Sequence, residues 1–265
     1  MEGRLTFLGT GTSMGVPTLG CDCPVCTSTD PRDLRLRPSV LLRWTEGGHA
    51  RSVLIDTGPD FRAQAMRERI THIDAVLYTH SHADHIFGLD DLRPLSFTAF
   101  RETGTNIPLY VTEETEAVLK RIFDYTFAPG ATYPNRARVA LEPVGTGVTL
   151  FGVDFVRVPI LHGKMEIAAY RFGKTAYITD VSAIPEASFP LLEGVETLVI
   201  SALRHKPHAT HATVEQSIAW SQKIGARRTW FTHIAHELGH EATNRTLPEG
   251  IAMAYDGLTL PIELA

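Results

Sequence analysis

Four side chains that commonly bind metals lie within six residues of this chain, directly after an apolar segment. The segment Ile73–Tyr78 predicts a β-strand, and the run that follows is His80-Ser81-His82-Ala83-Asp84-His85. Side chains alternate in an extended segment, so His80 and His82 can face one metal, while a turn at Ala83 could bring Asp84 and His85 to a second. Imidazole and carboxylate groups suit Zn²⁺, Mn²⁺ or Fe. The fold must therefore bring the end of this strand to an open edge.

The rest of the chain predicts β-hairpins followed by strands that alternate with helices, and the same order then recurs. Ser39–Trp44 and Ser52–Asp56 are rich in β-formers and flank a turn signal at Gly47-Gly48. Thr213 is predicted to cap a helix that runs to Ile224, with polar residues in its first turn. Since no linker or repeat interrupts the 265 residues, we predict a single α/β (α+β) domain over residues 1–265, with two packed sheets and helices outside.

Composition excludes several classes of partner. The chain has 25 basic and 30 acidic residues and a net charge of −5, so a basic face for nucleic acid is not expected. No stretch approaches the roughly 20 apolar residues of a membrane span. The first residues carry charge and then enter an apolar strand, which does not resemble a signal peptide. These features predict a cytoplasmic protein with a small-molecule partner, and they leave a homodimer open.

Three cysteines, Cys21, Cys23 and Cys26, lie within six positions and form a second cluster. An odd number of close thiols is not a disulfide framework, and it favours metal binding in a reducing compartment. A structural zinc ion is usually tetrahedral, so a fourth ligand is required. His236, three residues after His233, is the first choice for it, and His240 is the alternative.

The sequence is identified as a member of the metallo-β-lactamase superfamily by its HxHxDH signature. More specifically, it resembles the PhnP-like cyclic phosphodiesterases of the carbon–phosphorus lyase pathway. The matching segments are Leu8-Gly9-Thr10-Gly11-Thr12, Gly15-Val16-Pro17, Gly20–Cys26, Ile55–Gly58 and Thr232–His236. The resemblance implies a four-layer αβ/βα sandwich that holds two catalytic divalent metal ions, Zn²⁺ or Mn²⁺. It also implies a separate structural zinc ion bound by Cys21, Cys23, Cys26 and a C-terminal histidine.

The resemblance further implies a role for each ligand of the catalytic pair. The first metal would be bound by His80, His82 and His162. The second would be bound by Asp84, His85 and His233. Asp180 would bridge the two metals, and Asp56 would orient the site from behind the ligands.

The segment Leu203–His211 supplies a candidate general acid. It contains His205, His208 and His211, and it lies between a predicted strand and a predicted helix. Histidine has a reference pKa near 6.5, so it can donate a proton to a leaving oxygen at neutral pH. The resemblance favours His205 or His211 without choosing between them, and His208 is the weaker candidate.

These features together predict a phosphodiesterase that hydrolyses a small, cyclic phosphodiester. A metal hydroxide would attack phosphorus directly, without a covalent enzyme intermediate. The alternatives are an RNA 3′-processing endonuclease similar to tRNase Z and a lactone or β-lactam hydrolase. Only a short predicted hairpin separates His162 from Asp180, where tRNase Z enzymes often carry an RNA-gripping arm, and no basic run is present.

Overall fold

Two seven-stranded β-sheets form the centre of the computed structural model, which describes residues 1–130 and 133–264. The strands in chain order are β1 (Glu2–Gly9), β2 (Ser39–Glu46), β3 (His49–Ile55), β4 (Ala75–Leu77), β5 (Ile107–Val111), β6 (Val139–Pro143), β7 (Gly147–Leu150), β8 (Val153–His162), β9 (Met165–Phe172), β10 (Thr175–Ile178), β11 (Thr197–Ser201), β12 (Arg228–Thr232), β13 (Ile251–Met253) and β14 (Thr259–Glu263). The helices are α1 (Phe61–Arg67), α2 (Ala83–Ile86), α3 (Arg93–Thr103), α4 (Glu113–Ile122), α5 (Asp124–Phe127), α6 (Val214–Ile224) and α7 (His240–Asn244).

Each sheet combines antiparallel hairpins with parallel strands. The first sheet has the order β14-β1-β2-β3-β4-β5-β6, and the second has the order β13-β12-β11-β10-β9-β8-β7. Pairing is parallel from β3 to β6 and from β10 to β13, and antiparallel elsewhere. Because hairpins need only short turns and parallel strands need crossovers, helices accumulate beside the parallel halves.

The alternation of side chains along each strand produces four layers. Val40 of β2 and Tyr177 of β10 point into a shared apolar layer between the sheets. Their neighbours point outwards, Leu41 into a layer beneath α1, α2 and α4, and Ile178 into a layer beneath α6. This arrangement confirms the predicted αβ/βα sandwich, which buries both faces of both sheets.

Helix boundaries follow the local capping chemistry. Thr213 and Gln216 form a reciprocal capping box at the start of α6, and Gly225 ends that helix in a left-handed conformation. The side chain of Thr112 accepts the Thr115 N–H at the start of α4. No helix in the described part of the chain has both the length and the apolar character that a bilayer crossing demands.

The two sheets end together at one edge of the sandwich. β3 and β4 of the first sheet and β8, β10 and β12 of the second all finish there, and each is followed at once by polar residues. Carboxyl ends of parallel strands are where α/β folds present their functional loops. This edge therefore brings together side chains that are up to about 150 positions apart in the sequence, from His80 to His233.

Candidate metal centre

Three histidines from both sheets form the first group of potential ligands. His80 and His82 follow β4, and His162 is the last residue of β8. One ring nitrogen of each lies within 4.8 Å of the others. The ring centroids of His82 and His162 are 5.0 Å apart, and the main-chain carbonyl of Thr210 accepts the His162 Nδ1–H at 2.7 Å. That hydrogen bond leaves His162 Nε2 free to bind a cation.

A second, fully buried group lies next to the first and consists of Asp84, His85, Asp180 and His233. His85 Nε2 is 3.2 Å from Asp180 Oδ1 and 3.4 Å from Asp84 Oδ2. His233 Nε2 is 3.1 Å from Asp180 Oδ2 and 3.5 Å from Asp84 Oδ2. Two carboxylates and two imidazoles therefore point at one small volume.

Asp180 lies between the two groups. Besides its contacts with His85 and His233, it belongs to a third set in which its carboxylate, His162 and His211 lie within 4.8 Å of one another. The structure thus gathers all seven ligands predicted for the catalytic pair, with Asp180 in the central position. Their division into two sets is the one implied by the resemblance.

The donor atoms fit a pair of divalent cations. Several buried atoms at the centre have no hydrogen-bond partner among the described residues, including His80 Nε2, His85 Nε2, His233 Nε2 and Asp84 Oδ2. Buried polar atoms without partners are costly, so such a cluster is stable only when something satisfies it. Mixed nitrogen and oxygen donors in this number suit Zn²⁺ or Mn²⁺.

Electrostatics at the centre also call for positive charge. Burial alone would lower the pKa of His85, but the carboxylates of Asp180, Asp84 and Asp56 outweigh it and raise the pKa well above the usual value. Burial would raise the pKa of Asp180, yet His233 and His85 hold it well below its usual range. A cation among these groups meets the same need as a proton on His85.

Asp56 and Thr79 support the ligands from behind. Asp56 Oδ2 accepts the His85 Nδ1–H at 2.7 Å, and Asp56 also accepts the N–H and the hydroxyl of Thr79, each at 2.8 Å. A carboxylate behind a ligating imidazole fixes its orientation and its tautomer. Asp56 is thus where the sequence placed it, whereas Thr79 was missed because a threonine at a strand end carries no distinctive signal.

Three residues at the centre adopt a left-handed backbone. Asp56, Asp180 and His233 have φ values of 65°, 54° and 52°. Such conformations cost non-glycine residues roughly 1–3 kcal/mol each and concentrate at functional sites. Each of the three residues lies within two positions of the end of a strand, at the edge where the ligand groups meet.

The structure separates the three histidines of the 203–211 segment. His211 is only 11% exposed, its Nδ1 lies 3.8 Å from Asp180 Oδ2, and its ring is 4.7 Å from those of His162 and His233. Burial and nearby His233 lower the pKa of His211 to about 3, and the Asp180 carboxylate offsets only part of this lowering.

His205 points away from the centre. It is 57% exposed and pairs with Glu215 at 2.6 Å in the first turn of α6. His208 is exposed, and its ring centroid lies 5.1 Å from that of His211 at an interplanar angle of 42°. Of the two histidines that the sequence left open as the general acid, only His211 reaches the ligand groups.

The three thiols and His236 form a separate tetrad. His236 Nδ1 lies 3.2, 3.4 and 3.5 Å from the sulfurs of Cys21, Cys23 and Cys26. These four donors lie within 4.8 Å of one another, which suits one tetrahedral zinc ion. The alternative ligand, His240, is not in this group, and its main-chain N–H donates to Asp33 instead.

Comparison with known proteins places this geometry among relatives. A family model described as a β-lactamase superfamily domain matches residues 51–234. The crystal structure of a diphosphatase from the PhnP family is 54% identical, with a TM-score of 0.92, and the match covers 100% of this chain and 98% of that one. The structure of Zn²⁺-bound PqqB from Methylobacterium extorquens has a TM-score of 0.73 at 22% identity, covering 97% and 99% of the two chains, and shows the same fold.

A curated relative extends well beyond the matched region. The octanoyltransferase of Porphyromonas gingivalis is 36% identical over 264 residues, which cover 98% of this chain but 52% of that protein. The present chain therefore spans about half of the relative's length.

Proposed function

Because this chain belongs to the β-lactamase superfamily and, within it, to the PhnP family, we propose that it is a metal-dependent hydrolase that acts on phosphodiesters. The observation that carries the proposal is the set of seven ligand-type side chains at the common edge of the sheets. Within each ligand group the donor atoms lie within 4.8 Å of one another, and His211 Nδ1 lies 3.8 Å from the shared Asp180 carboxylate.

Each metal would be held by residues of both sheets. His80, His82 and His162 would hold one divalent ion, Asp84, His85 and His233 the other, and Asp180 would touch both. Cations bound there would lower the pKa of water to near neutrality and neutralise charge on a phosphoryl group. We propose Zn²⁺ or Mn²⁺ for this pair and Zn²⁺ for the cysteine tetrad.

The side chains around the ligands would position the ligand rings, orient the attacking water and protonate the leaving oxygen. Asp56 and the Thr210 carbonyl hold the rings of His85 and His162, which fixes the direction of the donor atoms. Asp180 would orient the attacking water by accepting a hydrogen bond from it. His211 would donate a proton to the oxygen that leaves phosphorus. Its Nδ1 makes no hydrogen bond within the described residues and lies 3.8 Å from Asp180 Oδ2.

For the substrate, we propose a small phosphodiester, with a five-membered cyclic phosphate as the preferred type. A diphosphate is the second candidate, since the 54% identical protein of the PhnP family is a diphosphatase. Both are attacked at phosphorus and release an oxygen that His211 can protonate. RNA processing is disfavoured because a two-residue turn at Gly163-Lys164 joins β8 to β9, which leaves no arm to grip RNA.

The test is a substrate panel with purified, metal-loaded protein. It contains ribose 1,2-cyclic phosphate, bis(p-nitrophenyl) phosphate, P1,P2-di(adenosine) diphosphate and a γ-lactone, each with Mn²⁺ and with Zn²⁺. We expect the phosphate compounds to be hydrolysed, and the cyclic phosphate to be hydrolysed fastest. The Asp180→Asn variant should lose this activity. Turnover of the lactone alone would contradict the proposal, and a diphosphate preference would replace the preferred substrate while keeping the reaction class.

A further inference from the structure

Arg37 is held rigidly beside the second ligand group. Its main-chain N–H donates to Asp60 Oδ2 at 2.8 Å, and its carbonyl accepts from the Gln64 side chain at 2.8 Å. Its Nε lies 3.1 Å from the same Asp60 oxygen. The main chain of Arg37 is therefore fixed on both sides, and a carboxylate lies beside its guanidinium group without accepting a hydrogen bond from Nε.

The side chain of Arg37 packs against two turns, one at Gly15 and one at Gly58. A β-carbon at Gly15 would lie 3.2 Å from Arg37 Nη1, and one at Gly58 would lie 3.4 Å from Arg37 Cβ. Gly58 packs on the main-chain oxygen of Asp84, which a β-carbon there would approach to 2.2 Å. The turn that contains Gly15 lies close to the candidate ligand His233. Its residue Thr12 donates its N–H to the carbonyl of Ile234, which directly follows His233.

The cationic end of Arg37 is only partly neutralised. Asp60 is its one acidic partner within 4 Å among the described residues, and their closest contact is made by Nε. The side chain is 28% exposed, so part of the guanidinium-bearing side chain can meet a ligand. A guanidinium with two free Nη groups is suited to bidentate binding of a phosphate.

The adjacent turn adds main-chain donors. Ser13 and Met14 are exposed at its tip, and neither N–H has a hydrogen-bond partner within the described residues. Consecutive free N–H groups in a turn attract anions. Glycine at position 15 keeps the space beside Arg37 open, since its φ of 66° and its contact with the guanidinium disfavour any side chain there.

We propose that Arg37 and the Thr12–Gly15 turn form a subsite for a second, non-reacting phosphate of the substrate. The subsite adjoins the main chain beside Asp84 and next to His233, the residues that would hold a cation in the second ligand group. This inference rests on the proposed function, because it assumes that a first phosphoryl group occupies the metal centre. It assigns to a residue outside the ligand set a preference for substrates that carry a second phosphate, whether that phosphate belongs to a diphosphate or to a distant position of a cyclic phosphodiester.

Equilibrium binding tests the subsite without turnover. Isothermal titration calorimetry would measure AMP and ADP binding to the metal-loaded wild type and to the Arg37→Gln and Arg37→Lys variants. We expect ADP to bind more tightly than AMP to the wild type, and the Gln variant to lose about 10- to 100-fold for ADP but much less for AMP. The Lys variant should recover part of the loss, because it keeps the charge but not the bidentate geometry.

A matched control is Arg227→Gln, since Arg227 is 79% exposed and precedes β12 at the opposite end of that strand. It should leave the ADP-to-AMP affinity ratio unchanged, and metal content should be equal in all four proteins. An unchanged ratio in correctly folded Arg37→Gln would overturn the subsite. If the ratio falls as expected but no phosphate compound is turned over, the subsite stands and the proposed function fails.

Discussion

His211 is the residue that the structure distinguishes most clearly from its neighbours in sequence. The 203–211 segment offers three histidines of the same chemistry, yet only His211 is enclosed by ligand side chains. Sequence spacing could not make this choice, because the path of an irregular loop depends on hydrogen bonds such as those of Leu203 with Ala212 and Ala235. A role for His211 in proton transfer therefore rests on geometry.

The first prediction concerns the leaving group. His211→Ala should lose about 10²–10⁴-fold in kcat with a poor, alkyl leaving group, because that oxygen needs a proton in the transition state. The loss should nearly vanish with p-nitrophenolate, which departs unprotonated. The measurement is kcat and KM on a methyl and a p-nitrophenyl ester of the same phosphate.

His205→Ala is the control for this comparison, because the structure directs His205 to Glu215 and solvent. It should change neither rate by more than about two-fold. Equal losses on both esters in His211→Ala would show that His211 grips the phosphate and does not deliver a proton.

The second prediction concerns a buried carboxyl group away from the metals. Burial raises the pKa of Asp256 to about 6, although Leu36 N–H and the Thr10 hydroxyl donate to its carboxyl group. A raised pKa means that the folded state binds the proton more tightly than the unfolded state. The stability that Asp256 contributes is therefore complete below about pH 4 and is lost as the pH rises through about 6.

The Asp256→Asn variant should lack this pH dependence. Between pH 4 and pH 7 the free energy of unfolding of the wild type should fall by roughly 3 kcal/mol relative to the variant. Urea unfolding of both proteins at several pH values, with metals removed, gives the difference directly. Parallel curves would show that Asp256 keeps an ordinary pKa in the folded protein.

At the scale of an element, the turn after β12 carries one candidate ligand for each of the two proposed metal sites. It carries His233 towards the catalytic groups and His236 towards the thiols. The buried guanidinium of Arg35 holds it by donating to the carbonyls of Ala235 at 3.1 Å and Leu238 at 2.7 Å. Three residues of separation therefore suffice to reach two different sites, as the spacing in the sequence suggested.

The third prediction is that the two sites lose metal independently. Cys23→Ser should bind about one zinc ion fewer per chain, because a tetrahedral site with one hydroxyl holds zinc weakly. Its Tm should fall, since structural zinc contributes folding free energy. Elemental analysis and calorimetry of the purified protein give both quantities.

Asp180→Ala is the reciprocal control, because it should reduce the catalytic metals and keep the zinc ion. An unchanged zinc content in Cys23→Ser would show that the thiols are not ligands.

Some elements could be predicted from sequence and others could not. The β2–β3 hairpin and α6 carry turn or capping signals, and the structure has them close to where they were predicted. Helix α3 was missed because it begins without a side-chain cap and buries few of its own residues. Strand β13 is three residues long and exists through its pairing with β12, a contact that sequence does not show.

At the scale of the whole molecule, the candidate ligands of the proposed catalytic pair come from both sheets. His80, His82, Asp84 and His85 follow the first sheet, whereas His162, Asp180 and His233 follow the second. Motif spacing identified the ligands on the first sheet, but the resemblance was needed to select those on the second from all other polar residues at strand ends. Cations at this edge should therefore hold one half of the sandwich to the other.

The fourth prediction follows from this placement. Removing the catalytic metals with a chelator should lower Tm, and adding Mn²⁺ or Zn²⁺ at about 1,000 times the dissociation constant should restore about 4 kcal/mol. The His233→Ala variant should respond far less, because its second group lacks a ligand. Thermal unfolding at a series of metal concentrations measures the effect, and a metal-independent Tm in the wild type would contradict the joining role.

The left-handed backbone at His233 is a conformation that costs stability, although the side chain there is a candidate metal ligand. Glycine would adopt its φ of 52° without strain, but it would also remove the buried ring whose Nε2 lies 3.1 Å from Asp180 Oδ2. A directed-evolution experiment that rewards thermostability alone gives no reason to retain a strained histidine at this position, and any variant that replaces it should be inactive. Any engineering of this protein for robustness has to screen for turnover in the same round, or it will select against the ligand that the fold is strained to present.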